Sequence, residues 1–193
     1  MPKITPVLPG YLYAVDQVFP KELFDSIMSI NWQTRPANRL EIGQGLRRQI
    51  VYDPEQDQLV NDYCFNELKQ AIEQQCPIRF THKEQQSLQY WLDEPGFRPV
   101  MHTDGDLSSA VQIYLQAGTR LDLGTAFYHT EDYRDQLHLF ASEPNTGYIM
   151  FNQPEPGRPM LWHDMTQSVP EGVARLCLYI TLGTYQRVNT VIP

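Results

Sequence analysis

Arg175-Leu176-Cys177-Leu178-Tyr179-Ile180-Thr181-Leu182 reads as a strand with two different faces. Side chains alternate along a strand, so Arg175, Cys177, Tyr179 and Thr181 share one face. Leu176, Leu178, Ile180 and Leu182 share the other, and that aliphatic set must pack against helices or a partner sheet. Upstream, short strand-like runs stand near Ser87–Leu92, Arg98–His102, Ala110–Gln116, Thr125–Tyr128, Tyr148–Phe151 and Met160–His163. Turn residues separate them: Glu94-Pro95-Gly96, Asp104-Gly105, Pro154-Glu155-Pro156-Gly157 and Pro170-Glu171-Gly172.

The first part of the chain is different. Tyr11–Val18 alternates as a strand, and Pro20 suits the first turn of a helix. Leu23, Phe24, Ile27 and Ile30 make an apolar stripe that Trp32 closes. Arg39–Tyr52 is strand-like around a Gly43-Gln44-Gly45 turn. Asp53-Pro54-Glu55-Gln56 is a capped helix start, with Gln three residues after the cap. That helix runs to about Gln75, with Leu59, Tyr63, Leu68, Ala71 and Ile72 largely on one face, and Cys76-Pro77 ends it. Helices followed by many short strands give an α+β, mainly β class. The expected architecture is a β-sandwich or jelly-roll (double-stranded β-helix) with N-terminal helices packed outside one sheet. One domain spans 1–193, with support in 1–86 and the jelly-roll core in 87–185.

The chain has 193 residues and a net charge of −8. An acidic balance speaks against nucleic acid, whose phosphates select a basic face. Arg35, Arg39, Arg47 and Arg48 form a local basic cluster interrupted by Glu41. It is either a solvated loop or strand edge, or an anion clamp beside a site. No stretch approaches the roughly 18 apolar residues that span a bilayer. Met1-Pro2-Lys3-Ile4-Thr5-Pro6 lacks a signal peptide's apolar core. Cys64, Cys76 and Cys177 are odd in number and far apart. The expectation is a cytoplasmic protein without a disulfide framework or a membrane partner.

His102-Thr103-Asp104 carries the chemistry. On a strand its outer two residues point the same way. A His and an Asp side by side are two thirds of a 2-His-1-carboxylate site, the usual holder of non-haem Fe(II) in oxygenases. Asp104-Gly105 is also an ordinary hairpin turn, so the pair alone decides nothing. It is followed by Val111-Gln112-Ile113-Tyr114-Leu115-Gln116, Leu123-Gly124-Thr125-Ala126-Phe127-Tyr128, Leu161-Trp162-His163-Asp164 and the Arg175 strand.

That order resembles the Fe(II)- and 2-oxoglutarate-dependent oxygenases, particularly the prolyl-4-hydroxylase-like branch with its small bacterial and phage members. The resemblance covers roughly Ser87 to Leu182, and Tyr11 to Trp32 also looks like the N-terminal part of that branch. It implies Fe(II) on His102, Asp104 and His163, and 2-oxoglutarate and O2 as co-substrates. Arg175 would pair with the distal carboxylate of 2-oxoglutarate, and Tyr114 would hydrogen-bond the same carboxylate. The implied reaction hydroxylates a C–H bond of a protein residue such as prolyl, or of a small molecule, with release of succinate and CO2. The chain departs from the family at two points. Cys177 stands where a hydroxyl residue often follows the Arg. Gln167, in Gln167-Ser168-Val169-Pro170, stands where a His-x-Val-Pro run often carries the distal His, and is the alternative to His163. A cupin-like metal dioxygenase without 2-oxoglutarate and a non-catalytic jelly-roll binding module remain the other readings. The oligomeric state is not legible.

Overall fold

The computed structural model describes residues 1–41, 43–104, 109–116, 120–152 and 161–188, with the side chains of 82–85 excepted. The turns at Gly105 and at Pro154–Gly157, the start of the Met160–His163 run and the side chain of His82 lie outside the described residues.

In chain order the elements are β1 (Lys3–Leu8), β2 (Leu12–Asp16), α1 (Lys21–Met28), β3 (Ala37–Leu40), β4 (Arg47–Ile50), α2 (Pro54–Asp62), α3 (Lys69–Gln75), β5 (Ile78–Asp93), β6 (Ala110–Gln116), β7 (Thr125–Tyr128), β8 (Gln136–Phe140), β9 (Thr146–Met150), β10 (Trp162–Met165) and β11 (Arg175–Arg187). A π-helical segment, Tyr63–Leu68, joins α2 to α3. An eight-stranded sheet runs β1-β2-β9-β6-β11-β5-β4-β3, and a three-stranded sheet runs β10-β7-β8. All their pairings are antiparallel. The mainly β expectation holds, with two sheets and N-terminal helices outside the larger one.

Strand β11 is central. It pairs with β5 along one side and β6 along the other. Its aliphatic face, Leu176, Leu178, Ile180 and Leu182, joins Tyr90, Leu92, Val111 and Ile113 from β5 and β6. Helices α1 to α3 cover that face through residues such as Ile27, Val60, Leu68 and Ile72. The opposite face joins Tyr114, Tyr148 and Cys177 to Phe127 and Phe140 of the smaller sheet. The two sheets therefore meet on the face that carries the polar residues of β11.

Several boundaries differ from the sequence reading. β1 and β8 were not anticipated, and β5 and β11 are longer. The Arg98–His102 run forms no strand; it makes two isolated bridges, Gln44↔Arg98 and His102↔His163. Pro99 has no N–H to offer a ladder. The Gln44–Arg98 bridge is closed by two backbone hydrogen bonds of 2.9 and 2.7 Å. It requires close approach at Gly45 (φ +83°), where a Cβ would meet the backbone of Gly96 and Phe97.

The Asp53 cap is present, and its carboxylate accepts from the Glu55 N–H. The reciprocal partner is Asp57, not Gln56: its Oδ2 accepts from the Asp53 N–H at 2.8 Å. Leu59 is solvent-exposed, whereas Val60, Cys64, Leu68 and Ile72 are buried. A strict four-residue spacing drifts around an α-helix, and the wider turn of the π segment keeps these residues in line.

The basic cluster separates. Arg35 is buried and forks onto Asp57 at 2.8 and 2.7 Å, with its guanidinium over Trp32. Arg39 is exposed. Arg48 bonds backbone carbonyls of Gln33 and Arg35. Only Arg47 reaches the site. Asp57→Ala, which strands the buried Arg35 charge, is expected to cost about 3–5 kcal/mol in urea unfolding. Leu178→Ala is expected to cost about 2–5 kcal/mol.

Candidate metal centre

Strand β10 carries His163 opposite Phe127 of β7, and the two rings stack at 5.2 Å. His102 reaches the same place from outside any strand. Its N–H and carbonyl exchange hydrogen bonds of 3.1 and 2.8 Å with those of His163. The imidazoles are thereby held with ring centroids 4.4 Å apart. Asp104 completes the group: its Oδ1 lies 3.6 Å from His102 Nε2 and 3.4 Å from His163 Nε2. One ligand atom from each of the three falls within 4.8 Å of the others.

The surroundings decide which atoms are available. His102 Nδ1 lies 2.7 Å from the Val100 carbonyl, and His163 Nδ1 lies 3.4 Å from the Leu161 carbonyl. A carbonyl only accepts, so each Nδ1 carries the proton and each Nε2 turns its lone pair inward. Tyr179, on the polar face of β11, donates to Asp104 Oδ2 at 2.9 Å and leaves Oδ1 facing the imidazoles. Burial and the neighbouring His163 lower the His102 pKa below its ordinary value, which favours the neutral ring that binds metal. Burial by itself would raise the Asp104 carboxyl, but the neighbouring His163 and the Tyr179 hydroxyl bring it below the usual carboxylate range. Two imidazoles and a carboxylate on one side, with the other side open, suit a divalent first-row metal. Among the described residues this is the one His/Cys/Asp/Glu group of that kind.

Gln167 lies elsewhere. It follows the end of β10, donates to the Asp122 carbonyl at 3.3 Å, and accepts from Arg120 at 3.3 Å. The structure brings His163, not Gln167, to His102 and Asp104.

The triad opens on a cavity of about 230 Å³, lined also by Arg47, Trp91, Gln112, Thr125 and Arg175. Arg175 is buried, and its Nη1 donates to the buried Asp93 Oδ2 at 2.6 Å. Its Nε has no hydrogen-bond partner. Tyr114 is placed differently from the sequence expectation. Its hydroxyl accepts from the Thr125 N–H and donates to Thr125 Oγ1, both at 2.9 Å. It does not line the cavity; its ring lies beneath Arg175, 5.3 Å from the guanidinium carbon. Thr125 does line the cavity. Its Oγ1 also accepts from Gln112 at 3.3 Å, so its own proton is left to donate. Burial pushes the Cys177 thiol up to about 11, against the lowering effect of Arg175, and keeps it neutral between them.

Sequence reasoning points to Tyr179 only as part of the polar face of its strand, and it misses Asp93, Thr125, Gln112 and Asp164 as site residues. Asp93 continues the alternation Gln89, Trp91, Asp93 one residue past the strand end that the sequence suggested. Asp164 holds the rim: its Oδ2 accepts from Arg98 at 2.9 Å and from Tyr133 at 3.2 Å.

No family model matches the sequence, and no curated protein does. Solved structures do match. A Pseudomonas putida prolyl-4-hydroxylase superposes with a TM-score of 0.62 at 18% identity, covering 94% of each chain. A 2-oxoglutarate-Fe(II) oxygenase family oxidoreductase from Burkholderia pseudomallei gives 0.60 at 14% identity, covering 92% of this chain and 86% of that one. HygX from Streptomyces hygroscopicus, with nickel and 2-oxoglutarate bound, gives 0.56 at 10% identity, covering 94% and 84%. At these identities the likeness is one of fold, and at that level the resemblance read from the motif order holds.

Cobalt(II) titration followed by visible absorption separates the two candidates for the third ligand. His163→Ala is expected to weaken binding by at least about a hundredfold, and Gln167→Ala to leave it unchanged. Tyr179→Phe, which frees Asp104 without removing a ligand, should cost about tenfold.

Proposed function

We propose that this protein is an Fe(II)- and 2-oxoglutarate-dependent dioxygenase that hydroxylates a C–H bond, on a protein residue such as prolyl or on a small molecule. On this reading the two sheets form a double-stranded β-helix that holds the site between them. The observation that carries the proposal is one cavity with the His102–Asp104–His163 group at its wall and buried Arg175 beside it. The fold shared with 2-oxoglutarate-Fe(II) oxygenases supports it. A buried guanidinium with an unsatisfied Nε suits a carboxylate ligand, because its planar fork stays charged and can bind two oxygens.

Bound Fe(II), with 2-oxoglutarate and O2, supplies the oxidation of the C–H bond and the release of succinate and CO2. The chain's own residues hold and orient. The Val100 and Leu161 carbonyls fix both imidazole tautomers, and Tyr179 fixes the Asp104 oxygen that faces them. Arg175 binds the distal carboxylate of 2-oxoglutarate, and Thr125 donates its hydroxyl proton to the same group. Tyr114 acts through Thr125, whose orientation it sets. Cys64, Cys76 and Cys177 are free and buried, which suits a reducing cytoplasm and a ferrous site.

One observation favours a second reading, a metal dioxygenase that does not use 2-oxoglutarate: Arg175 already has the Asp93 carboxylate as a partner. The assay for succinate from 2-oxoglutarate with Fe(II) distinguishes the two. Turnover is expected in the unaltered protein and in Gln167→Ala, none in His163→Ala, and a rise of about a hundredfold in KM for 2-oxoglutarate in Arg175→Gln. An iron-loaded protein that consumes O2 without forming succinate would support the second reading.

A further inference from the structure

Arg47, Asp93 and Arg175 stand on one row across three strands. Arg47 of β4 is directly opposite Asp93 of β5, and Asp93 is directly opposite Arg175 of β11. Arg47 donates Nε to Asp93 Oδ1 at 2.6 Å and Nη2 to Oδ2 at 3.1 Å. Arg175 donates Nη1 to that same Oδ2 at 2.6 Å. The Asp93 side chain is fully buried, Arg175 nearly so, and Arg47 is 18% exposed. Both arginines line the cavity.

We infer that Arg47 is a second carboxylate-binding residue of this cavity, and that Asp93 positions Arg47 and Arg175 as a two-guanidinium clamp for the distal carboxylate of 2-oxoglutarate. The inference rests on the proposed use of 2-oxoglutarate. Charge carries it. One carboxylate between two guanidiniums leaves the row at +1, whereas the Arg35–Asp57 pair elsewhere in the protein is closed at zero. A buried positive excess is costly unless an anion meets it. The acids nearest the metal group do not cancel it, because Asp104 is held by Tyr179 facing the two imidazoles, and Asp164 is paired with Arg98.

Geometry carries the rest. Two guanidiniums that share one carboxylate oxygen are close enough to share one ligand carboxylate as well. Arg47 cannot easily leave. Its guanidinium carbon lies 4.3 Å from the Phe97 ring centroid and 5.0 Å from that of Trp91, and Asp93 holds two of its three nitrogens. Its Nη1 stays available, as does Arg175 Nε. Asp93 thus removes the search over rotamers that a long arginine would otherwise make on binding.

The test uses Mn(II)-loaded protein and calorimetric binding of two keto acids. 2-Oxoglutarate and 2-oxobutyrate carry the same metal-chelating end, but only the first has a distal carboxylate. Arg47→Gln is expected to weaken 2-oxoglutarate by at least about tenfold and to leave 2-oxobutyrate unchanged. Arg47→Lys should recover part of the loss. Arg47→Gln combined with Asp93→Asn restores the +1 charge and should bind 2-oxoglutarate more tightly than Arg47→Gln alone, an outcome that a purely structural role for Asp93 would not produce. Unchanged 2-oxoglutarate affinity in Arg47→Gln, beside a large loss in Arg175→Gln, overturns the inference and leaves the proposed function standing. Failure of the unaltered protein to bind either keto acid overturns both.

Discussion

Strand β11 is covered on both faces, and the alternation of its side chains is the constraint on which the rest depends. A strand in that position assigns every residue to one of two environments. Its aliphatic residues meet the helices, and its polar residues meet the space between the sheets. A slip of one residue would put Arg175 and Tyr179 among the helices and the leucines into the site. The pairings with β5 and β6 on either side exclude that slip. The site is therefore a consequence of core packing: Arg175 and Tyr179 reach the cavity because Leu176, Leu178 and Ile180 are held on the opposite face.

The metal group is assembled across the two sheets. His163 belongs to the smaller sheet, Tyr179 and Arg175 to the larger, and His102 and Asp104 lie on a segment between. That segment is fixed at both ends by backbone pairs, Gln44 with Arg98 and His102 with His163. These bridges replace the strand that the sequence suggested for Arg98–His102. They hold His102 beside His163 without committing the segment to a ladder, so Asp104 can turn back toward the imidazoles. Phe127 supports the His163 ring from behind, and the carbonyls two residues before each histidine set its proton.

Local features were legible in the sequence because they depend on neighbours along the chain. The strands Ala110–Gln116 and Thr125–Tyr128 were read to the residue, from alternation or an apolar run bounded by turn residues. The Asp53 cap and the stop before Pro77 were read from backbone chemistry alone. The failures are equally physical. Leu59 shares the buried face only in an unbroken α-helix, and the π segment changes the phase. Asp57 took the capping role expected of Gln56 because the buried Arg35 had already placed its carboxylate there.

The sequence by itself determined the candidate ligand types and their order: a His-x-Asp pair, a later histidine, and an arginine opening a two-faced strand. Spacing within one strand is enough for that, since alternation is a property of the backbone. Only the tertiary structure decided between His163 and Gln167, four residues apart, because the choice depends on where β10 ends. Only the tertiary structure joined Arg47 to Asp93 and Arg175, which lie 46 and 82 positions from that aspartate. Lateral register between strands is set by the assembled sheet and leaves no periodic trace in the chain.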